Sequence, residues 1–441
     1  MSATRSPLET TLARRQREGP SAAPGRADHW RYAWQRHERL YTTIGVVAFC
    51  VVIWIWRRPG QLTHPYVWDE EVTLLRHYLD GGFIGALRPV QGYLILPPAF
   101  LFAVAAKISI VQLPWLTYFF ASLVFIATIL MIVVPDSRWG DLKFRAAMAA
   151  TAALVPTNPE VVGVLLYSFW WATLWPLIIL GWRRSLWLLR APLLAVAALS
   201  SPAGGSIFAV YLISYWRSRR IQDAIGAAIL FAGFVVQAVL TLTSSRADAI
   251  DSNATPGKVI EQIGRTGGYF ETNWLAVGHP DHGFVEFVGL LFLLFLVTAG
   301  VSLAFRWKRD DVLLMSLGAL AFTVITALPV PLEADPVSNG PRYYFLPFLT
   351  FGWVLLLILR DAPARGLVLG AAILLGVSFL NLASTFSRQP QTTKAHLSWK
   401  HELETCGRSQ EGIVRVPIYL DGSYIFWNID FSPARCRQLL R

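Results

Sequence analysis

Three acids stand in a row at Asp69-Glu70-Glu71, shortly after the first apolar run of the chain. A carboxylate held beside a bilayer and partly desolvated can act as a general base toward a hydroxyl. Adjacent carboxylates also raise one another's pKa, which suits a base to neutral pH. The same residues have a plain structural use. Asp69 can cap a helix, with Glu70 and Glu71 favouring its positive end. Val72, Leu75 and Leu79 come next at helical spacing and predict a short amphipathic helix lying on the membrane. A further acid, Glu160, sits in the turn Pro156-Thr157-Asn158-Pro159-Glu160 between two apolar runs. It is either a solvated turn residue or the second acid of a shared pocket.

Cations complete the set. Arg342, in Asn339-Gly340-Pro341-Arg342-Tyr343-Tyr344, stands at the entrance to a late apolar run. Arginine offers a planar fork suited to a phosphate or diphosphate. It can equally snorkel to headgroups while Tyr343 and Tyr344 form an aromatic belt. Arg88, in Leu87-Arg88-Pro89-Val90-Gln91-Gly92-Tyr93, has the same two readings, as do Lys258 and Arg265. His279, Asp281 and His282 at short spacing are a weak metal signal, since a structural site needs four protein ligands and a catalytic one three, and a polar loop is the plainer reading. No P-loop, dinucleotide fingerprint or Gly-x-Ser-x-Gly elbow occurs, which argues against an ATP-driven pump and an ordinary serine hydrolase.

The elements that must position these residues are membrane helices. Only 15% of the 441 residues are charged and 54% are hydrophobic. Tyr343 to Leu359 and Gly366 to Thr385 carry no charge at all, and Val285 to Phe305 carries one, Glu286. Each run approaches the ~20 residues that cross hydrocarbon, where only a helix satisfies its own backbone. The formal charge of +11 is no sign of nucleic acid, because the arginines and lysines sit in short loops between spans, as orientation signals do.

The expected fold is therefore an all-α polytopic membrane protein of about eleven transmembrane helices. Residues 1–40 form a basic cytoplasmic tail and 41–385 the membrane domain. Residues 57–92 make the first outer loop with the acidic motif and surface helices, and 244–284 a large outer loop. Residues 386–441 make a small extracytoplasmic tail, in which Val414–Tyr419 and Tyr424–Ile429 flank Asp421-Gly422 as a β-hairpin. Cys406 and Cys436 could pair there if the tail faces an oxidising compartment.

Two topologies compete. In one, Ala191–Trp216 is a hairpin of two short helices broken at Ser200–Gly205, and Tyr93–Ile110 does not cross. In the other, Tyr93–Ile110 crosses and Ala191–Trp216 is one kinked span. The first is preferred, because it puts Arg138, Arg190, Arg217, Arg309 and Arg360 on one face together.

The arrangement resembles the GT-C class of membrane glycosyltransferases, and most closely bacterial GT-C-like proteins. That class carries an acidic pair in the first outer loop, where Asp69-Glu70 stands. A Pro-containing return to the bilayer comes after it, matched by Arg88-Pro-Val-Gln-Gly-Tyr93 and Leu96-Pro-Pro98. Some members place an acid in the next outer turn, as at Glu160, and a Gly-x-Arg-Tyr entry to a late span, as at Gly340-Pro-Arg-Tyr343. The Trp-Trp-Asp signature of oligosaccharyltransferases is absent, since Trp170-Trp171 precedes Ala172.

The resemblance implies a multi-pass protein of a bacterial inner membrane, N-terminus cytoplasmic and C-terminus outside. It would transfer a sugar, with inversion, from a polyprenyl-phosphate donor to a hydroxyl of an envelope glycan or lipid. Asp69 would be the base, and Glu70 and Glu160 would orient the acceptor or hold a divalent cation. Arg342 with Arg88 would stabilise the leaving phosphate, and Gln91, Tyr93 and Tyr343 would line the substrate site. A flippase of lipid-linked sugars and a polysaccharide polymerase or ligase are the competing expectations.

Overall fold

The computed structural model describes residues 26–63, 65–68, 70–157, 159–183, 187–244, 255–272, 282–330, 334–336, 340–386, 398–421 and 424–440. The chain divides into two compact units, 1–45 and 46–441. Within the first, only a helical stretch from Arg26 is described, the start of α1 (Arg26–Arg57). The second unit carries the rest of α1 and every other described element.

After α1 come α2 (Glu71–Ala86), α3 (Leu96–Ile108), α4 (Leu113–Val133) and α5 (Leu142–Ala153). Next are α6 (Ser168–Gly181, bent at Leu174 ahead of Pro176), α7 (Trp187–Ala198), α8 (Phe208–Ser218) and α9 (Ile221–Leu242). The late helices are α10 (Pro256–Thr272), α11 (His282–Arg306), α12 (Asp310–Ala327), α13 (Phe345–Asp361) and α14 (Arg365–Thr385). A terminal module adds α15 (Trp399–Arg408), the hairpin β1 (Val414–Asp421) and β2 (Tyr424–Phe431), and α16 (Pro433–Leu439).

The protein is thus helical and polytopic. Among the described residues, six helices are long and apolar enough to cross a membrane, and four more apolar helices are shorter. The sequence runs that suggested additional full spans resolve into short pieces. Pro176 bends α6, and Ser200-Ser201-Pro202 separates α7 from α8. Ser201 accepts from the Gly204 amide, capping the turn Pro202–Ser206.

The break at Ser200 is the tip of a hairpin, because the feet of α7 and α8 meet at one aspartate. Asp223 lies 3.9 Å from Arg190 and accepts from Ser214 at 2.8 Å. Other charges gather at this same end. Asp311 sits 3.7 Å from Arg138 and 3.8 Å from Arg360, and Asp310 pairs with Arg217. Arg138 also donates to Ser214, which joins the two groups.

The opposite end of the bundle holds α3. Its first amide, of Leu96, donates to the Leu199 carbonyl at the hairpin tip. Just past its last turn, the Ile110 carbonyl accepts from the Trp399 indole of the terminal module. A 13-residue helix is only about 20 Å long, shorter than the ~30 Å hydrocarbon core of a bilayer.

The helix α2 forms where its spacing predicts, but its apolar face has a different partner. Val72, Leu74 and Leu75 are fully buried in the protein core, so that face covers protein rather than lipid. At Gly82 the chain turns with φ 60, and Gly85 then comes so close to the His77 carbonyl that a Cβ would overlap it.

The hairpin expected around Asp421-Gly422 is present. Val414 pairs with Phe431 and Asp421 with Tyr424, antiparallel; residues 422–423 lie outside the described ones. Cys406 and Cys436 form a disulfide that staples α15 to α16.

Candidate functional site

Three segments far apart in sequence meet at the end of the bundle that carries α2 and α3. The first is the approach to α2, the second the turn around Glu160, and the third the entry Pro341–Tyr344 to α13. Arg342 joins them. Its Nη1 donates to Glu160 Oε1 at 2.5 Å, its backbone amide reaches Glu160 Oε2 at 3.3 Å, and its Nη2 reaches Glu70 Oε1 at 3.3 Å. Gly340, at φ 75, turns the chain into this entry, a conformation that glycine adopts without steric cost.

Tyr167 lies between the two acids. Its hydroxyl is 3.1 Å from Glu70 Oε2 and 3.1 Å from Glu160 Oε1, and it accepts from the Trp68 indole. A phenol has one proton, so it donates to one carboxylate at a time. The Arg342 guanidinium also lies over the Tyr167 and Tyr343 rings, 5.4 and 5.1 Å from their centroids. Glu160 is buried, 5% exposed, while Glu70 and Arg342 are half-buried.

Glu71 belongs to a different job. It is 1% exposed, and its two oxygens accept from the amides of Trp68 and Leu166. It therefore pins the start of α2 to the segment that carries Tyr167. Burial pushes its carboxyl up from 4.5 to about 7, against the opposing pull of those amides and of Arg58.

Because the folded pKa is raised, this carboxyl supports stability fully below about pH 4.5. The support fades as pH rises through 7, on the order of 3 kcal/mol in all. Thermal unfolding in detergent should therefore fall in temperature between pH 5 and 8, and Glu71→Gln should flatten that slope. An unchanged slope in the variant would exclude Glu71 as its source.

The remaining expectations divide. Glu70, Glu160 and Arg342 are brought together. Asp69, the expected base, lies outside the described residues, as do Asn339 and His279. Arg88 is exposed, lies against Gly81, and pairs with no described carboxylate. Gln91 is exposed too, at φ 50. Arg265 pairs with Glu261 and Glu286 within its own helical hairpin.

Arg342 is also not the open phosphate clamp that its fork suggested, since carboxylates already occupy both ends of the fork. It stands where a divalent cation between Glu70 and Glu160 would sit. Among the described residues no group of three metal-ligating side chains occurs. Tyr167, Trp68 and the anchoring role of Glu71 were not read from the sequence. Tyr167 sits in the run Val164-Leu165-Leu166-Tyr167, where nothing marks a functional hydroxyl.

Tyr93 and Tyr343 border an apolar cavity of about 250 Å³ beside the cluster. Phe169 and Trp170 form its aromatic wall, Ser201–Ala203 its floor at the hairpin tip, and α9 and the end of α12 its sides. Leu242, on its rim, is exposed on the outer surface of the bundle.

No protein-family model, curated protein or solved structure matches the chain.

Proposed function

We propose that this protein is a membrane glycosyltransferase of the GT-C kind, moving a sugar from a polyprenyl-phosphate donor to a hydroxyl acceptor. The observation that carries the reading is the convergence of Glu70, Glu160 and Arg342 beside a lateral apolar cavity. A lipid-linked donor needs both, a greasy slot for its chain and a charged cluster for its head.

In the reaction, the acceptor hydroxyl gives its proton to Asp69 and its oxygen attacks the anomeric carbon. The bond from that carbon to the phosphate oxygen breaks, the electron pair leaves on the phosphate, and the configuration inverts. Arg342 stabilises the developing phosphate charge. Of its two side-chain contacts, the 3.3 Å one to Glu70 is the looser, and it is the one a phosphate oxygen would replace. Glu160 keeps the guanidinium in place. Glu70, once released, orients the acceptor.

The reading puts the cluster on the extracytoplasmic face of a bacterial inner membrane, within a domain of about eleven spans. Disulfides persist in oxidising compartments, and the module stapled by Cys406–Cys436 touches the end that carries the cluster. Trp399 donates to Ile110, and Arg76 of α2 to the Asn428 carbonyl. An impermeant maleimide should label Cys406 and Cys436 in intact spheroplasts only after reduction. Labelling only after lysis would reverse the orientation.

The function is tested by incubating membranes containing the chain with radiolabelled sugar on polyprenyl phosphate and tracing label into lipid and glycan fractions. Label that crosses the vesicle without leaving its lipid would point to a flippase instead.

A further inference from the structure

Two arginines are left unused by this chemistry, and they are the least expected in their place. Arg57 and Arg58 end the first span at the end where the cluster lies, and they are only 1% and 3% exposed. Positive charge is disfavoured at the outer end of a span and tolerated by snorkelling, yet these two side chains are turned inward. Neither pairs with a described carboxylate. Arg58 feels Glu71 only beyond ion-pair distance, and a buried cation without a close counter-charge is costly unless its hydrogen bonds are well used.

They are used on one turn. Arg57 donates through Nη1 to the Ala153 carbonyl at 3.1 Å and through Nη2 to the Thr157 carbonyl. Arg58 donates through Nη1 to the carbonyls of Glu160, at 3.3 Å, and Val162, at 2.9 Å. Four carbonyls on both sides of Glu160 thus rest on two guanidiniums.

The described backbone of the turn has few bonds of its own. Pro156 and Pro159 lack amide protons, and the backbone bonds described within it are Thr157 to Val155 and Val162 to Pro159. The carbonyls of Ala153, Thr157, Glu160 and Val162 take their side-chain donors from the arginines, while that of Val161 takes the Trp171 indole at 3.3 Å. Arg58 reaches the other side as well. Its Nη2 donates to the Tyr66 hydroxyl at 2.8 Å, and its guanidinium lies 4.8 Å from the Trp68 ring centroid. Trp68 in turn donates to Tyr167. Arg58 therefore ties the approach to Glu70 to the turn that bears Glu160.

We propose that Arg57 and Arg58 are positioning residues that set the Glu160 carboxylate against Arg342 and Glu70. Arg58 is the one that couples the two acids. The catalytic consequence rests on the glycosyl-transfer reading; the clamp itself does not. Lysine keeps the charge but offers a point where the turn needs a fork, so it restores only part of the hold.

The test uses the full chain in nanodiscs, as wild type, Arg57→Lys, Arg58→Lys and Arg58→Met. Amide exchange of peptides covering 153–163 should rise about tenfold or more in Arg58→Met and less in the lysine variants, with α13 peptides unchanged. In the transfer assay with sugar-labelled polyprenyl phosphate, kcat should fall about ten- to a hundredfold. KM for the donor should stay near the wild-type value, because the cavity is untouched. Where Arg58→Met does not fold, Arg58→Lys carries the test.

Unchanged exchange in 153–163 overturns the clamp. A wild-type kcat in a variant whose turn exchanges faster overturns its positioning role. Should the wild-type chain transfer no sugar, the exchange result still decides the clamp and the glycosyl-transfer reading alone falls.

Discussion

Arg342→Ala is expected to lower sugar transfer by about a hundredfold or more and to destabilise the protein by about 3 kcal/mol. Both effects come from one removal. Without the guanidinium, Glu70 and Glu160 keep their common neighbour Tyr167 but lose the cation that spans them. Two carboxylates facing one phenol repel, and Glu160 is too buried for water to compensate.

Arg342→Lys should recover part of the stability and little of the rate, because an ammonium cannot reach both acids as a fork does. The double variant Arg342→Ala, Glu160→Gln separates the two losses. Neutralising the stranded acid should restore much of the unfolding temperature while transfer stays low, since the leaving phosphate still has no partner. A double variant no more stable than Arg342→Ala would show that the pair contributes nothing to folding.

The members of this cluster were legible in the sequence to the extent that charge is conspicuous beside a bilayer. Glu70, Glu160 and Arg342 stand out because each interrupts or borders an apolar run. Tyr167 does not, for a tyrosine in an apolar stretch reads as packing. Nor could spacing separate Glu70 from Glu71. One step along a helix start rotates a side chain by about 100°, and that rotation sends Glu70 to Arg342 and Glu71 to the amides of Trp68 and Leu166.

Arg57 and Arg58 were passed over for a related reason. An orientation rule counts arginines and does not ask which way they point. The break at Ser200–Gly205 was legible, and it separates α7 from α8 as the preferred hairpin expects, but the bend of α6 at Pro176 was not. No local pattern encodes the distant contacts of α3, Leu96 to Leu199 and Trp399 to Ile110.

Asp69→Asn should lower transfer by about a thousandfold. The case for Asp69 as the base comes from what its neighbours already do. Glu70 accepts from Arg342 on Oε1, and its Oε2 shares the single Tyr167 proton with Glu160. Glu160 takes Arg342 and Tyr167 on Oε1 and an amide on Oε2. A carboxylate whose oxygens are already engaged by donors, one of them a cation, is poorly placed to take the proton of an acceptor hydroxyl. Glu71 is sealed from any acceptor. On the glycosyl-transfer reading, Asp69 is then the acid of these two loops proposed to take the acceptor's proton.

Glu70→Gln provides the contrast. It should lower transfer less than Asp69→Asn, because Gln keeps an oxygen for Arg342, and it should shift stability, because the amide brings a donor toward Tyr167. Transfer by Asp69→Asn at the wild-type rate would remove the base from the mechanism. If Glu70→Gln then proved the more damaging of the two, the proton would go to Glu70 instead, and Arg342 would have to leave it before each turnover.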